Sequence, residues 1–165
     1  MGIYDIKFSI KLAEVAQSIE LNSYEARRTV VYLSRLSMEL SLKAFLEQAG
    51  RPVAEIKSYS HDIRKLLIEV GKFEVKAKNS RIWHSAAHLR TLTISFLHNE
   101  IPVGWVLDAE DQGASVYPNE IRYGEEVQDF PPEVLALVAE KVAAWIHEHS
   151  TSVRYLCPNM QTSIQ

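Results

Sequence analysis

The sequence predicts an all-α protein, an up-and-down bundle of about five helices with a long loop before the last one. Three observations carry that expectation. Apolar residues recur at steps of three and four along most of the chain. Helix-stopping residues punctuate it at Gly50, Pro52, Gly71 and Pro102. A chain of 165 residues, 47% apolar and 24% charged, suits one globular domain with a core of its own.

Taken in order, Asp5 to about Leu21 reads as a first helix, with Ile6, Ile10, Ala13 and Leu21 near one side. Asn22 followed by Glu25 is a capping-box pattern that opens the longest periodic segment, about 23–49. There Ala26, Val30, Leu33, Ser37, Leu40 and Ala44 form the stripe, and Leu36, Leu42, Phe45 and Leu46 widen it. A short connection, RPVAEIKSYS, leads to a helix at about His61–Val70 with Ser60 as its expected N-cap. Beyond a basic linker, Asn79 or Ser80 can cap a fourth helix running to about Asn99. Residues 100–130 lose the helical period and hold Gly104, Gly113, Pro118 and Gly124, which predicts a long loop with a short strand at Trp105–Leu107. Pro131 and Pro132 open a last helix ending near His149. Residues 1–150 form a single domain on this reading, and 151–165 are a coil-like tail.

Cys157 is the sole cysteine, so no intrachain disulfide can form, which suits a reducing compartment. The opening MGIYDIKFSIK lacks the pattern of a signal peptide. No apolar run reaches bilayer length, and the expectation is a cytoplasmic protein without membrane contact. The net charge of −3 argues against non-specific coating of nucleic acid. It hides an uneven spread: residues 57–90 hold eight Lys or Arg against three acids, whereas 100–149 hold eleven acids against Arg122 and Lys141. A basic middle suits phosphate, and an acidic half suits a basic partner or the basic face of a second copy; both also fit plain solvated surfaces.

Chemistry concentrates in RIWHSAAHLRTLTISFLH, residues 81–98. On a helix, Arg81, His84, His88, Thr91, Ser95 and His98 would share one stripe, opposite Ile82, Ala86, Leu89, Thr93 and Phe96. His84 and His88 have the spacing of a two-histidine metal grip. However, Ser85 stands where a zinc protease needs its Glu, and no Cys pair, Asp or Glu on the helix offers a third ligand, which leaves only His61 or a second subunit; no metal or cofactor is expected. Arg81 and His88 suit metal-free RNA cleavage instead: His takes the ribose 2′-hydroxyl proton while Arg holds the phosphate. The bland alternative is a wet or interfacial helix face. No glycine-rich phosphate loop appears, and His147 and His149 suit the end of a helix, where cations meet the dipole favourably.

MELSLKAFLEQAG (Met38–Gly50), then SHDIRKLL (Ser60–Leu67) and IRYG (Ile121–Gly124), resemble the HEPN domains, the higher eukaryotes and prokaryotes nucleotide-binding domains. The resemblance implies an all-α bundle paired as a homodimer. It also implies, in many members, a metal-independent RNase with an Arg-x4–6-His motif at the dimer cleft, whose spacing Arg81 and His88 meet. Candidate catalytic residues are then Arg81 and His88, with His84, His98 and Arg122 contacting RNA or nucleotide. Other members are non-catalytic, antitoxin-like modules partnering a nucleotidyltransferase or another protein. Glu39, Lys43, His61 and Asp62 belong to the resembling stretches. Glu39 and Lys43 can pair at i,i+4, and Asp62 suits a helix start, so these four read mainly as structural.

Overall fold

The computed structural model describes residues 2–107 and 131–156. Their order is α1 (Ile6–Ser18), α2 (Tyr24–Gln48), α3 (Val53–Ser58), α4 (Ile63–Val70), β1 (Phe73–Lys76), β2 (His84–Ser85), a 3-10 helix (Ala86–Thr91), β3 (Thr93–Phe96), β4 (Asn99–Pro102), α5 (Pro132–His149) and β5 (Ser152–Tyr155). The all-α expectation is overturned. Two small antiparallel sheets stand beside the helices, one ordered β2-β1-β5 and the other the hairpin β3-β4. Arg122, the IRYG stretch, most of the expected long loop and Cys157 lie outside the described residues.

The helices follow from their caps and their periods. Asp5 accepts from the Lys7 backbone N–H at 2.8 Å and so starts α1. Ser23, one residue past the expected Asn22, accepts from the Ala26 N–H at 3.1 Å and starts α2. At the far end of α2 the Gly50 N–H reaches the Glu47 carbonyl and the Arg51 N–H reaches that of Leu46, both at 3.0 Å. This is the paired closure that needs a left-handed residue, and Gly50 supplies φ = 83°. The expected connection after it contains α3, and the cap of α4 is Asp62 rather than Ser60.

α2 is the spine. It packs along α1 and α5, which also pack on each other, while α3 and α4 lean on it. Small residues let α1 approach: Ser9, Ala13 and Ala16 are buried on α1, as are Ser34, Ser37 and Ser41 on α2. The Ser37 hydroxyl donates to the Ser9 carbonyl at 2.7 Å, while Ser34 and Ser41 return theirs to α2's own Val30 and Ser37 carbonyls. Met38, Leu42, Phe45 and Leu46 join Ile63, Leu66 and Val70 of α4 and Val138, Val142 and Ile146 of α5 in one core.

The expected fourth helix does not form. Its residues are divided among β2, the 3-10 helix and the hairpin, and the expected basic linker supplies β1. The physical reason is an alternation hidden inside the three-four spacing. In β1 Phe73 and Val75 are buried between less buried neighbours, and in β3 Ile94 is buried between exposed Thr93 and Ser95. The β-branched residues in this stretch also favour extended backbone. The hairpin turns through Leu97 and His98 at φ = 47° and 66°, without the Asn-Gly pair that usually announces such a turn. The tail supplies β5, paired to β1 from Phe73↔Tyr155 to Lys76↔Ser152. Residues 105–107 are helical, not a strand. No helix among the described residues is long and apolar enough to cross a membrane.

A Cβ at Gly50 would meet nothing within 4 Å, so Gly50→Ala tests backbone strain alone. It is expected to lower stability by about 1 kcal/mol in urea denaturation, with Gly50→Asn closer to the parent protein.

Candidate functional site

The helical stripe of polar residues from Arg81 to His98 does not exist as a surface. Arg81 is exposed between β1 and β2, His84 lies on β2, His88 on the 3-10 helix and His98 at the hairpin tip. His88 is held locally: the Thr91 hydroxyl lies 2.9 Å from its Nδ1 and donates to its carbonyl at 2.8 Å. The i,i+4 grip expected of His84 and His88 is absent because no α-helix carries both. His84 instead meets His149 of α5 edge-on, ring centroids 6.2 Å apart. His149 stacks on Trp145 at 4.9 Å and its Nδ1 lies 2.9 Å from the Trp145 carbonyl. Among the described residues no group of three or more His, Cys, Asp or Glu could hold a metal.

The groups that do converge are those first read as structural. Glu39 is 4% exposed in the middle of α2. One of its carboxylate oxygens accepts from Lys43 Nζ at 2.7 Å, and the other lies 2.9 Å from His61 Nδ1. Residues 39 and 43 meet because they are one helical turn apart. His61 arrives from far along the chain, on the turn that leads into α4. The same stripe of α2 carries buried Arg35, one turn before Glu39. Spacing alone could have revealed the three ionic side chains, which recur at steps of four along α2; His61 as their fourth member could not be read that way.

The surroundings of this cluster are ordered from the N-terminus. Glu47 accepts from the Ile3 and Tyr4 backbone N–H groups at 2.8 and 3.0 Å. That places the Tyr4 ring 5.7 Å from Lys43 Nζ, in a cation–π contact. Burial pushes the Tyr4 hydroxyl above its ordinary value, and the Glu47 and Glu39 carboxylates push it further, so it remains a neutral donor. Next to His61, Asp62 caps α4 by accepting from the Lys65 N–H at 2.9 Å, with Lys65 Nζ at 3.2 Å. Burial raises the Asp62 carboxyl, but that hydrogen bond and the Lys65 ammonium outweigh it and hold it below 3.8.

Chemically, the arrangement is a histidine oriented by a buried carboxylate. When Nδ1–H donates to Glu39, Nε2 becomes the ring's basic nitrogen, and the His61 side chain is 41% exposed. Glu39 thereby fixes tautomer and ring direction, while Lys43 balances its charge from within the core. A cleft elsewhere, lined by Ala16, Ile19, Leu21 and Val30 together with Gln17 and Glu133, offers no such set. Compared with protein-family models, curated proteins and solved structures, the chain gives no match.

Two outcomes test this account. Glu39→Leu strands the Lys43 charge and should cost about 3 to 5 kcal/mol, whereas Glu39→Leu with Lys43→Met should recover most of it. A double variant as unstable as the single one would show that the ion pair is not what couples the two positions. Because Asp62 has a lowered carboxyl, its cap contributes fully above 3.8 and is lost as pH falls below that. Asp62→Ala should therefore cost about 1 kcal/mol at neutral pH, and the gap to the parent protein should close in acid denaturation curves.

Proposed function

We propose that this chain is a HEPN-like protein that contacts RNA or nucleotide as a homodimer, with His61, oriented by Glu39, as its chemical centre. The observation that carries the reading is the Glu39 carboxylate between Lys43 and His61. It joins Met38–Gly50 and Ser60–Leu67, the two described stretches on which the resemblance rests, into one ionic cluster. A residue shared by two remote motifs is a reason for those motifs to occur together. His61 is a suitable acceptor for a ribose 2′-hydroxyl proton, because a carboxylate on Nδ1 leaves Nε2 as the basic nitrogen of a ring that is 41% exposed. Arg81 and His88 remain candidates only as separate surface contacts, since no common helix aligns them.

Apolar side chains left on the surface give pairing something to bury. Phe8 and Val15, seven residues apart on α1, are 52% and 42% exposed. The same patch supports a second reading, a non-catalytic subunit that partners a nucleotidyltransferase or another protein.

The test uses light scattering and a mixed RNA pool. The expected mass is twice that of the 18.8 kDa chain. RNA binding, and any cleavage, should fall in His61→Ala and Glu39→Gln but persist in His88→Ala, and chelator should change nothing. A monomeric mass, or equal behaviour of all variants toward RNA, overturns the reading. Stoichiometric co-purification of one partner protein without any effect on RNA selects the second.

A further inference from the structure

The outward face of the three-stranded sheet gathers side chains that the His61 cluster does not use. In β1, Phe73 and Val75 turn into the core, so Glu74 and Lys76 point the other way. The register sets Ser85 of β2 and Arg154 of β5 on either side of Glu74, and Ser152 beside Lys76. Continuing the β1–β2 register by one residue brings Trp83 beside Lys76. The result is an indole among cations: Lys76 Nζ lies 5.1 Å and Arg154 Cζ 4.1 Å from the Trp83 ring centroid. Glu74 holds the guanidinium in place, since one of its oxygens lies 2.7 Å from both Nε and Nη2 of Arg154. Lys78 and Arg81 are exposed on the connection between β1 and β2. Among the described residues, the strands of this face set one carboxylate, Glu74, against these cations, and it is engaged by Arg154.

We infer that this face binds single-stranded RNA, with Trp83 as the base-stacking platform and Lys76, Lys78, Arg81 and Arg154 as its phosphate contacts. The inference rests on the reading of an RNA-contacting protein and assigns that contact to residues outside the His61 cluster. The chemistry selects the occupant. An aromatic ring bordered by fixed cations matches a strand whose bases are unstacked and whose phosphates run alongside. A duplex keeps its base faces covered and leaves the indole without a partner. An acidic peptide satisfies the cations but makes no use of the ring. Arg154 lies over the indole, and a guanidinium plane accepts a base much as an aromatic ring does, so the two form one stack to which a base can add. Three of the eight cations of the basic middle, Lys76, Lys78 and Arg81, lie on β1 and its connection, and β5 adds Arg154.

The experiment is fluorescence anisotropy with a labelled mixed-sequence RNA dodecamer, single-stranded and as a duplex, from about 50 to about 200 mM salt. Single strands should bind, more tightly than duplex. Trp83→Leu should weaken binding about tenfold, and Trp83→Phe should restore most of the loss. Lys76→Gln should reduce the salt dependence by about one released ion. Circular dichroism melts check folding; should Trp83→Leu not fold, Trp83→Phe and Lys76→Gln, which preserve the ring or the fold, decide. No binding by the parent protein at low salt overturns the inference, as does unchanged binding by every sheet variant. Competition by poly-glutamate as effective as that of RNA also overturns it and points to an acidic protein partner. If binding is lost in His61→Ala while the sheet variants bind normally, this inference falls and the His61 reading stands. If only the sheet variants lose binding, the sheet is the RNA surface and the His61 reading falls.

Discussion

Glu39 is a carboxylate in the middle of the longest helix, with almost no access to water. An ion in that position loses several kcal/mol of hydration, on the order of what its partners can return, so it persists only where the partners are well placed. Lys43 is supplied by the helix itself. His61 is not, and its arrival 2.9 Å from the carboxylate requires the turn before α4 to close onto α2. Lys43 in turn lies against Tyr4, whose backbone is tied to Glu47. The N-terminal segment, the spine and the approach to α4 are therefore positioned by one set of charges. Its main contribution is to specify which segments meet, because burial of the ions largely cancels their attraction.

Around that constraint, α2 has no exposed residue from Val30 to Glu47, and its polar groups are reconciled with burial in different ways. Serines on the α1 side are small enough for close approach and spend their hydroxyls on nearby carbonyls. Toward α4 and α5 the contacts are apolar. At the C-terminal end Arg51 works as a junction. Its guanidinium lies near Glu55 and Glu69 at 3.3 and 3.4 Å, and 5.6 and 5.7 Å from the Phe73 and Tyr155 rings. Phe73 also meets Phe45 edge-on at 5.8 Å and Tyr155 at 5.3 Å. The three-stranded sheet is attached to the helical core through these rings, which leaves its other face available for polar and charged side chains.

In the proposed function the two sites have different tasks. His61 combines partial exposure with a fixed ring direction, the properties of a group that moves a proton. The sheet face combines a flat aromatic surface with cations, the properties of a surface that holds a strand. The histidines of 81–98, conspicuous as a string, are spread over a strand, a 3-10 helix and a hairpin tip; His84 meets His149 of α5, and His88 meets Thr91.

The sequence by itself determined the long helices and the ionic pair within one of them. α2, with bounds one residue from those expected, and α5, starting at Pro132 and ending at His149, are legible because many turns of apolar period outweigh any local ambiguity. Glu39 and Lys43 are legible because a helix fixes which residues are neighbours four apart. What lies between Gly71 and Pro102 was not legible. Segments of two to four residues are too short for period two to be told from period three or four, and polar residues there satisfied both. The tail failed for a related reason: Ser152–Tyr155 is a strand only because β1 offers it an edge. His61 meeting Glu39, and Arg154 meeting Trp83, join residues separated by tens of positions in the chain. Periodicity describes neighbours along one element, and only the packing of elements against each other decides which distant side chains meet.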